Sequence, residues 1–209
     1  KGVPHKFDVD KQAAFIEYYE QLKDNLRENE PLLFMDAVHP TQATKITSGW
    51  IKKDVDKLIE TTGSPTRHNI VGVIRLGHLE EALIEQYDKT VNGESIVDFL
   101  TKTRDVYQTS GTIHLILDGA GYHRSGLVTE AAKNLEITLH YLPPYSPNLN
   151  PIERLWKVMN KHVRNSQYFA TTKEFRRRIN QFFTTTLPVI ADSLGSTIND
   201  NFQQFKSAF

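Results

Sequence analysis

Short apolar runs bounded by proline, glycine and polar residues alternate along this chain with stretches of helical periodicity. Residues 1–10 are polar and read as a linker. Ala14, Tyr18 and Leu22, with Phe15, Tyr19 and Leu26, recur at helical spacing and predict a helix over 10–27. Leu32-Leu33-Phe34-Met35, set between Pro31 and Pro40, predicts a strand buried on both faces and ending in Asp36. A second strand is expected over 42–47, a short helix over 54–60 and a loop at Gly63-Ser64-Pro65. Strands over 69–75 and 82–88 and a helix over 94–108 follow. The apolar run 113–117 predicts another strand ending in an aspartate, Asp118. Gly119 to Gly121 makes a turn, 125–134 a helix and 137–142 a strand. Residues 143–151 hold four of the nine prolines and must form an irregular loop. Helices are expected over 151–164, over 173–186 and near 197–206. Strands come first, mixed helix and strand next, helices last, the order of an α/β domain with a mixed central sheet.

A chain of 209 residues can bury a sizeable core. Residues 1–30 divide off as linker and leading helix, and 31–209 as the main domain. No apolar run approaches the length of a membrane span, and the polar start is not a signal peptide. The absence of cysteine excludes disulfides and thiolate metal sites and fits a reducing cytoplasm. The first residue is Lys1 and the only methionines are Met35 and Met159, so the chain reads as a fragment lacking an upstream part. Net charge is zero, unlike most nucleic-acid binders, but the charge is segregated. From Asn150 to Asn180 eight Lys and Arg face two acids, a net of +6, whereas the first sixty residues carry a net of −2. The basic segment is either a solvated helix face or a surface for phosphate.

The two strands that end in Asp36 and Asp118 can aim both carboxylates at one point from a rigid scaffold. Glu153 opens a helix after the proline-rich loop. Three hard oxygen donors suit magnesium or manganese rather than zinc. Each acid also has a plain structural reading. Asp118-Gly119 suits a turn, and Asp36 could cap a turn before Pro40. Asn150-Pro151-Ile152-Glu153 has the form of an N-cap, a first-turn proline and a capping-box glutamate. At a helix start the dipole favours an ionised Glu153. On a helical wheel Ile152, Leu155, Trp156, Met159 and Val163 form one apolar stripe. Arg154, Lys157, Lys161 and Arg164 lie opposite, and Glu153 falls on the border.

The string Tyr141-Leu-Pro-Pro-Tyr-Ser-Pro-Asn-Leu-Asn-Pro-Ile-Glu-Arg-Leu-Trp156 resembles the signature before the last catalytic acid of IS630-type transposases in the Tc1/mariner superfamily. Leu117-Asp-Gly-Ala-Gly-Tyr-His-Arg-Ser125 resembles the segment bearing their second aspartate, and Phe34-Met35-Asp36 the first. The 34 residues between Asp118 and Glu153 match the spacing of that group's Asp-Asp-Glu triad. The resemblance runs from about Lys11 to Phe183. One departure is Ala37, where many members carry an acid. The resemblance implies an RNase H-like domain with helices flanking the sheet and two Mg2+ ions, replaceable by Mn2+, held by Asp36, Asp118 and Glu153. Asp36 would be shared by both ions. It also implies cleavage at the terminal inverted repeats, joining of the freed 3′-hydroxyl to target DNA at TA sites, and a homodimer on paired ends. An upstream helix-turn-helix region, absent from this chain, would read the repeats. The setting would be a bacterial cytoplasm and its nucleoid, with no membrane.

His123 and Arg124 stand near enough to Asp118 to contact phosphate, although His123 also suits a satisfied surface histidine; His39, close to Asp36, reads the same way. Arg154, Lys157 and Lys161 are the other candidate DNA contacts. Trp156, Phe175, Phe182 and Phe183 read as core rather than base-stacking platforms, and Arg176-Arg177-Arg178 as a solvated face rather than a DNA contact. Competing functions are an RNase H-like nuclease or resolvase that cuts without joining, and a catalytically silent DNA-binding relative, against which the intact acids argue. Gly119-Ala120-Gly121 is not a dinucleotide fingerprint, since Arg124 stands where a third glycine belongs. Val38 excludes the second aspartate of an aspartate-nucleophile phosphatase.

Overall fold

The computed structural model describes residues 8–47, 58–64 and 66–202. Five strands, β1 (Leu32–Val38), β2 (Asn69–Arg75), β3 (His78–Tyr87), β4 (Ile113–Leu117) and β5 (Ile137–Tyr141), form one mixed sheet in the order β3-β2-β1-β4-β5. The first three are antiparallel, while β4 runs parallel to β1 and β5 parallel to β4. Alternation along β1 sorts the sheet's two faces. Leu33 and Met35 enter one core with Val71 and Val73 of β2, covered by α2 (Gly93–Val106) and α3 (Gly126–Asn134). Phe34 enters the other with Ile70 and Ile74. That face is covered by α1 (Val9–Asp24), α4 (Ile152–Val163), α5 (Thr172–Gln181) and the short α6 (Leu187–Ile190). Phe15 and Tyr19 of α1 share the core of α4, so the leading helix packs as part of this layer.

Local chemistry explains the helix starts. Asp8 accepts the Lys11 amide at α1, Asn92 and Ser95 make a reciprocal capping box at α2, and Ser125 and Thr171 cap α3 and α5. α4 departs from expectation, because Pro151 occupies its cap position without a side-chain bond. The Asn150 amide instead donates to the Met35 carbonyl at 3.0 Å, and Glu153 does not serve as a capping-box partner. The strand expected over 42–47 is absent. Thr41 and Lys45 make single bridges, and Ile46, its one large apolar residue, is exposed, so no face there rewards a strand. Residues 58–60 are not helical, and 54–57 lie outside the described residues. The same holds for residues 1–7 of the expected linker and for Pro65. Residues 197–202 are irregular rather than helical, and 203–206 also lie outside. The helix expected to 186 leaves α-geometry after Gln181, where Phe182–Thr186 widens into a π turn that buries Phe182 and Phe183.

Candidate active site

β1 and β4 pair only from Leu32 to Phe34, and the sheet opens between them beyond that point. Asp36 lies two residues further along β1, paired only with Gly72 of β2, and so shares the Phe34 face toward α4. β1 therefore continues to Val38 instead of stopping at the aspartate. Asp118 is the first residue after β4, and Glu153 the second residue of α4. The three acids line one cleft of about 590 Å3, together with Arg124 and the proline-rich loop.

That loop is fastened at both ends. Leu142 donates to the Leu117 carbonyl at 2.9 Å, prolonging the β4–β5 pairing, and buried Asn150 reaches back to β1. In between, buried Gln12 of α1 donates to the Ser146 hydroxyl at 3.0 Å and accepts from the Asn148 amide at 3.1 Å. Tyr145 projects half-exposed at the cleft with φ 56°, left-handed backbone that a tyrosine adopts only under surrounding constraint. Gln12 and Asn150 were not legible as site residues, since their partners stand more than a hundred positions away.

The acids are in unequal states. Burial, then the nearby Glu153 charge, pushes the Asp36 carboxyl up to about 7, although an indole N–H from Trp156 at 2.8 Å opposes the rise. Glu153 is raised by burial, with Lys157 pulling the other way. Asp118 is held below the ordinary carboxylate value, chiefly by a hydrogen bond from His123. Among the described residues none of the three forms an ion pair with a lysine or arginine. Three hard oxygen donors lining one cleft without a lysine or arginine ion pair fit Mg2+ or Mn2+. Their oxygens do not all approach within 4.8 Å of one another, as around a single ion. Two ions about 4 Å apart would draw on a wider set of this kind. The one group among the described residues that meets the tighter spacing, His78 with Glu80 and Glu81, is exposed at the start of β3.

Trp156 belongs to the core, as its place on the apolar stripe of α4 implies, yet its indole also holds Asp36. Gly72 makes this possible, since a Cβ there would stand 2.5 Å from the indole Cη2 and 2.7 Å from Ile84 Cδ1. His123 is neither a surface histidine nor open to phosphate, being 1% exposed beneath the 121–124 turn, with Nδ1 2.7 Å from Asp118 Oδ1. Arg124 is exposed at the cleft, its guanidinium 4.2 Å from the Tyr141 ring centroid. His39 bonds Asn69 at 2.8 Å and does not line the cleft. Of the basic residues on α4, Lys157 and Lys161 are exposed. Arg154 instead donates to the carbonyls of Thr197, Asn199 and Asn201, and half-buried Arg164, just past the end of α4, bonds Asn160 and Thr41.

A family model described as "DDE superfamily endonuclease" matches residues 31–176. The insertion element IS630 uncharacterized 39 kDa protein of Shigella sonnei is 23% identical over 186 residues, which is 88% of this chain and 52% of that protein. The chain thus spans about half the length of that relative. Among solved structures, the pre-cleavage Mos1 transpososome superposes with a TM-score of 0.69 at 14% identity, covering 97% of this chain and 67% of that one. The catalytic domain of Mos1 mariner transposase gives a TM-score of 0.58 at 14% identity, covering 97% and 100%. The shared architecture is the mixed sheet with helices on both faces that the sequence motifs implied.

Proposed function

The chain belongs to the DDE superfamily of endonucleases, and from that premise we propose that it is the catalytic domain of a DNA transposase. It cuts the ends of a mobile element with divalent metal and joins the freed 3′-hydroxyl to target DNA. One observation carries this reading: Asp36, Asp118 and Glu153, drawn from β1, the end of β4 and α4, line a single cleft with no lysine or arginine ion pair among the described residues. Asp36, between a strand and the α4 indole, would hold divalent ions, Mg2+ or Mn2+, together with Asp118 and Glu153. When bound, such ions supply Lewis acidity, making water or a 3′-hydroxyl nucleophilic and screening charge on the transferring phosphoryl group. The protein orients the three acids, and Arg124 at the rim offers its guanidinium to a phosphate entering the cleft. The fastened 143–150 loop lines the cleft beside Glu153, where DNA would enter. No covalent link between protein and DNA is required.

The substrates proposed are terminal inverted repeats and a TA target, handled by a homodimer on paired ends in a bacterial nucleoid. The relation to the IS630 protein and the fold shared with the Mos1 complexes support this. No helix among the described residues is long and apolar enough to cross a membrane. The test is a magnesium-dependent cleavage and strand-transfer assay on end-bearing DNA, using a longer chain that carries the upstream region. Asp118→Asn should abolish cleavage while the protein stays folded. Cutting by that variant at the wild-type rate would remove Asp118 from the site. Cutting without joining would make the protein a nuclease of the same family.

A further inference from the structure

The His123 ring lies against Asp118 in a way that fixes which nitrogen carries its proton. Nδ1 stands 2.7 Å from Asp118 Oδ1 and 3.2 Å from the Asp118 backbone carbonyl. A carboxylate and a carbonyl both only accept, so Nδ1 must be the donor to each. The ring has little freedom to turn away. It is buried, meets Tyr122 edge-on at 4.4 Å between centroids, and its own backbone carbonyl accepts the Tyr141 hydroxyl at 2.9 Å. Nε2 on the far side is buried and has no partner among the described residues. A ring kept only to fill space would be better without that unmatched nitrogen, so Nδ1 is the part of the ring in use.

We infer that His123 is a positioning residue for metal binding, holding Asp118 by Oδ1 so that Oδ2 is the oxygen presented to a cation. The inference rests on the reading of Asp118 as a metal ligand. Oδ1 accepts from His123 and, at 3.2 Å, from the Ala120 amide, whereas Oδ2 accepts nothing among the described residues. The Ala120 bond is local to the 118–120 turn, and the shorter His123 bond adds a second hold on the same oxygen. Trp156 performs the matching task on Asp36, donating to one oxygen from α4. Each aspartate is thus gripped by a ring N–H on one oxygen, an outer layer that orients ligands before an ion arrives.

The experiment is Mn2+ binding by the 209-residue chain, read from the electron paramagnetic resonance signal of free Mn2+, with melting temperatures measured in parallel. His123→Phe keeps the ring and removes the donor, and should weaken Mn2+ binding about tenfold or more. His123→Asn places an amide N–H close to the position of Nδ1 and should recover most of the affinity. His123→Gln carries its amide one bond too far and should not. If Phe proves too disruptive to fold, the Asn and Gln pair decides. Wild-type affinity in all three variants, with binding lost in Asp118→Asn, would overturn the inference and leave the site standing. Mn2+ binding by Asp118→Asn at wild-type strength, or none by the wild-type chain, would overturn the site and the inference with it.

Discussion

Asp36 carries the largest consequence of any single residue, because its carboxyl is pushed to about 7 while Asp118 moves the other way. A carboxyl raised on folding favours the folded state below its unfolded value of 3.8 and loses that contribution as pH climbs through 7. Asp118, being lowered, contributes stability above 3.8 that disappears only in stronger acid. The metal-free chain should therefore become less stable from about pH 5 to pH 8, and a cation that replaces the Asp36 proton should return more at pH 8 than at pH 5. Melting curves with and without Mn2+ at both values check this, and an equal increment at each would separate Asp36 from the ion. Gly72 gives a second test. Gly72→Ala drives a methyl into Trp156 and Ile84, and should cost about 1–3 kcal/mol in urea unfolding while loosening the indole's hold on Asp36. The acids were legible because each closes an apolar run or opens a helix. The donors that orient them were not. Trp156 reads as core from its place on the stripe, and nothing in the order of residues tells that Gly72 leaves room for it.

At the scale of elements, β1, β2, β4 and the apolar stripe of α4 were plain from periodicity, since burial on one or both faces writes itself into the chain. The extended-looking stretch 42–47 misled for the complementary reason, since alternation without an apolar face to bury has no partner to find. Asp118 and Glu153 lie at element ends and Asp36 where β1 has parted from β4, and such places are set by contacts between distant segments. The bond from α1 to the proline-rich loop is one such contact. Gln12→Leu should remove the side-chain hydrogen bonds to Ser146 and Asn148, cost about 1–3 kcal/mol, and raise amide exchange over residues 143–149 more than in the sheet. Exchange unchanged in that loop would show that Asn150 and the proline backbone hold it unaided. The unexpected start of α4 belongs here too. A sequence that resembles a capping box spends its asparagine on β1, and the glutamate stays available to the cleft.

For the molecule as a whole, neutral net charge conceals a division of labour among the basic residues. Arg154 is engaged by carbonyls after α6, and Arg176 pairs with Asp88, whereas Lys157, Lys161, Arg177 and Arg178 are exposed. Binding of this chain to DNA should be weak, indifferent to sequence, and lost with salt at a log–log slope near about −0.9 per phosphate contacted. Neutralising Lys157 and Lys161 together should flatten that slope on every duplex alike, while Arg154→Ala should lower the melting temperature and leave the slope nearly unchanged. Titrations at several salt concentrations on terminal-repeat and scrambled DNA decide it, and a marked preference for the repeat would reveal a sequence reader in this domain. The placement of α4 also bears on synthesis. This helix fills the sheet face beside Phe34 and brings both Glu153 and the Trp156 indole, so the third acid arrives with a large part of the hydrophobic interior. A nascent chain halted before residue 150 would display two aspartates with neither that acid nor that interior. On the proposed function, the third acid would thus become available only in a chain that also carries this part of the core.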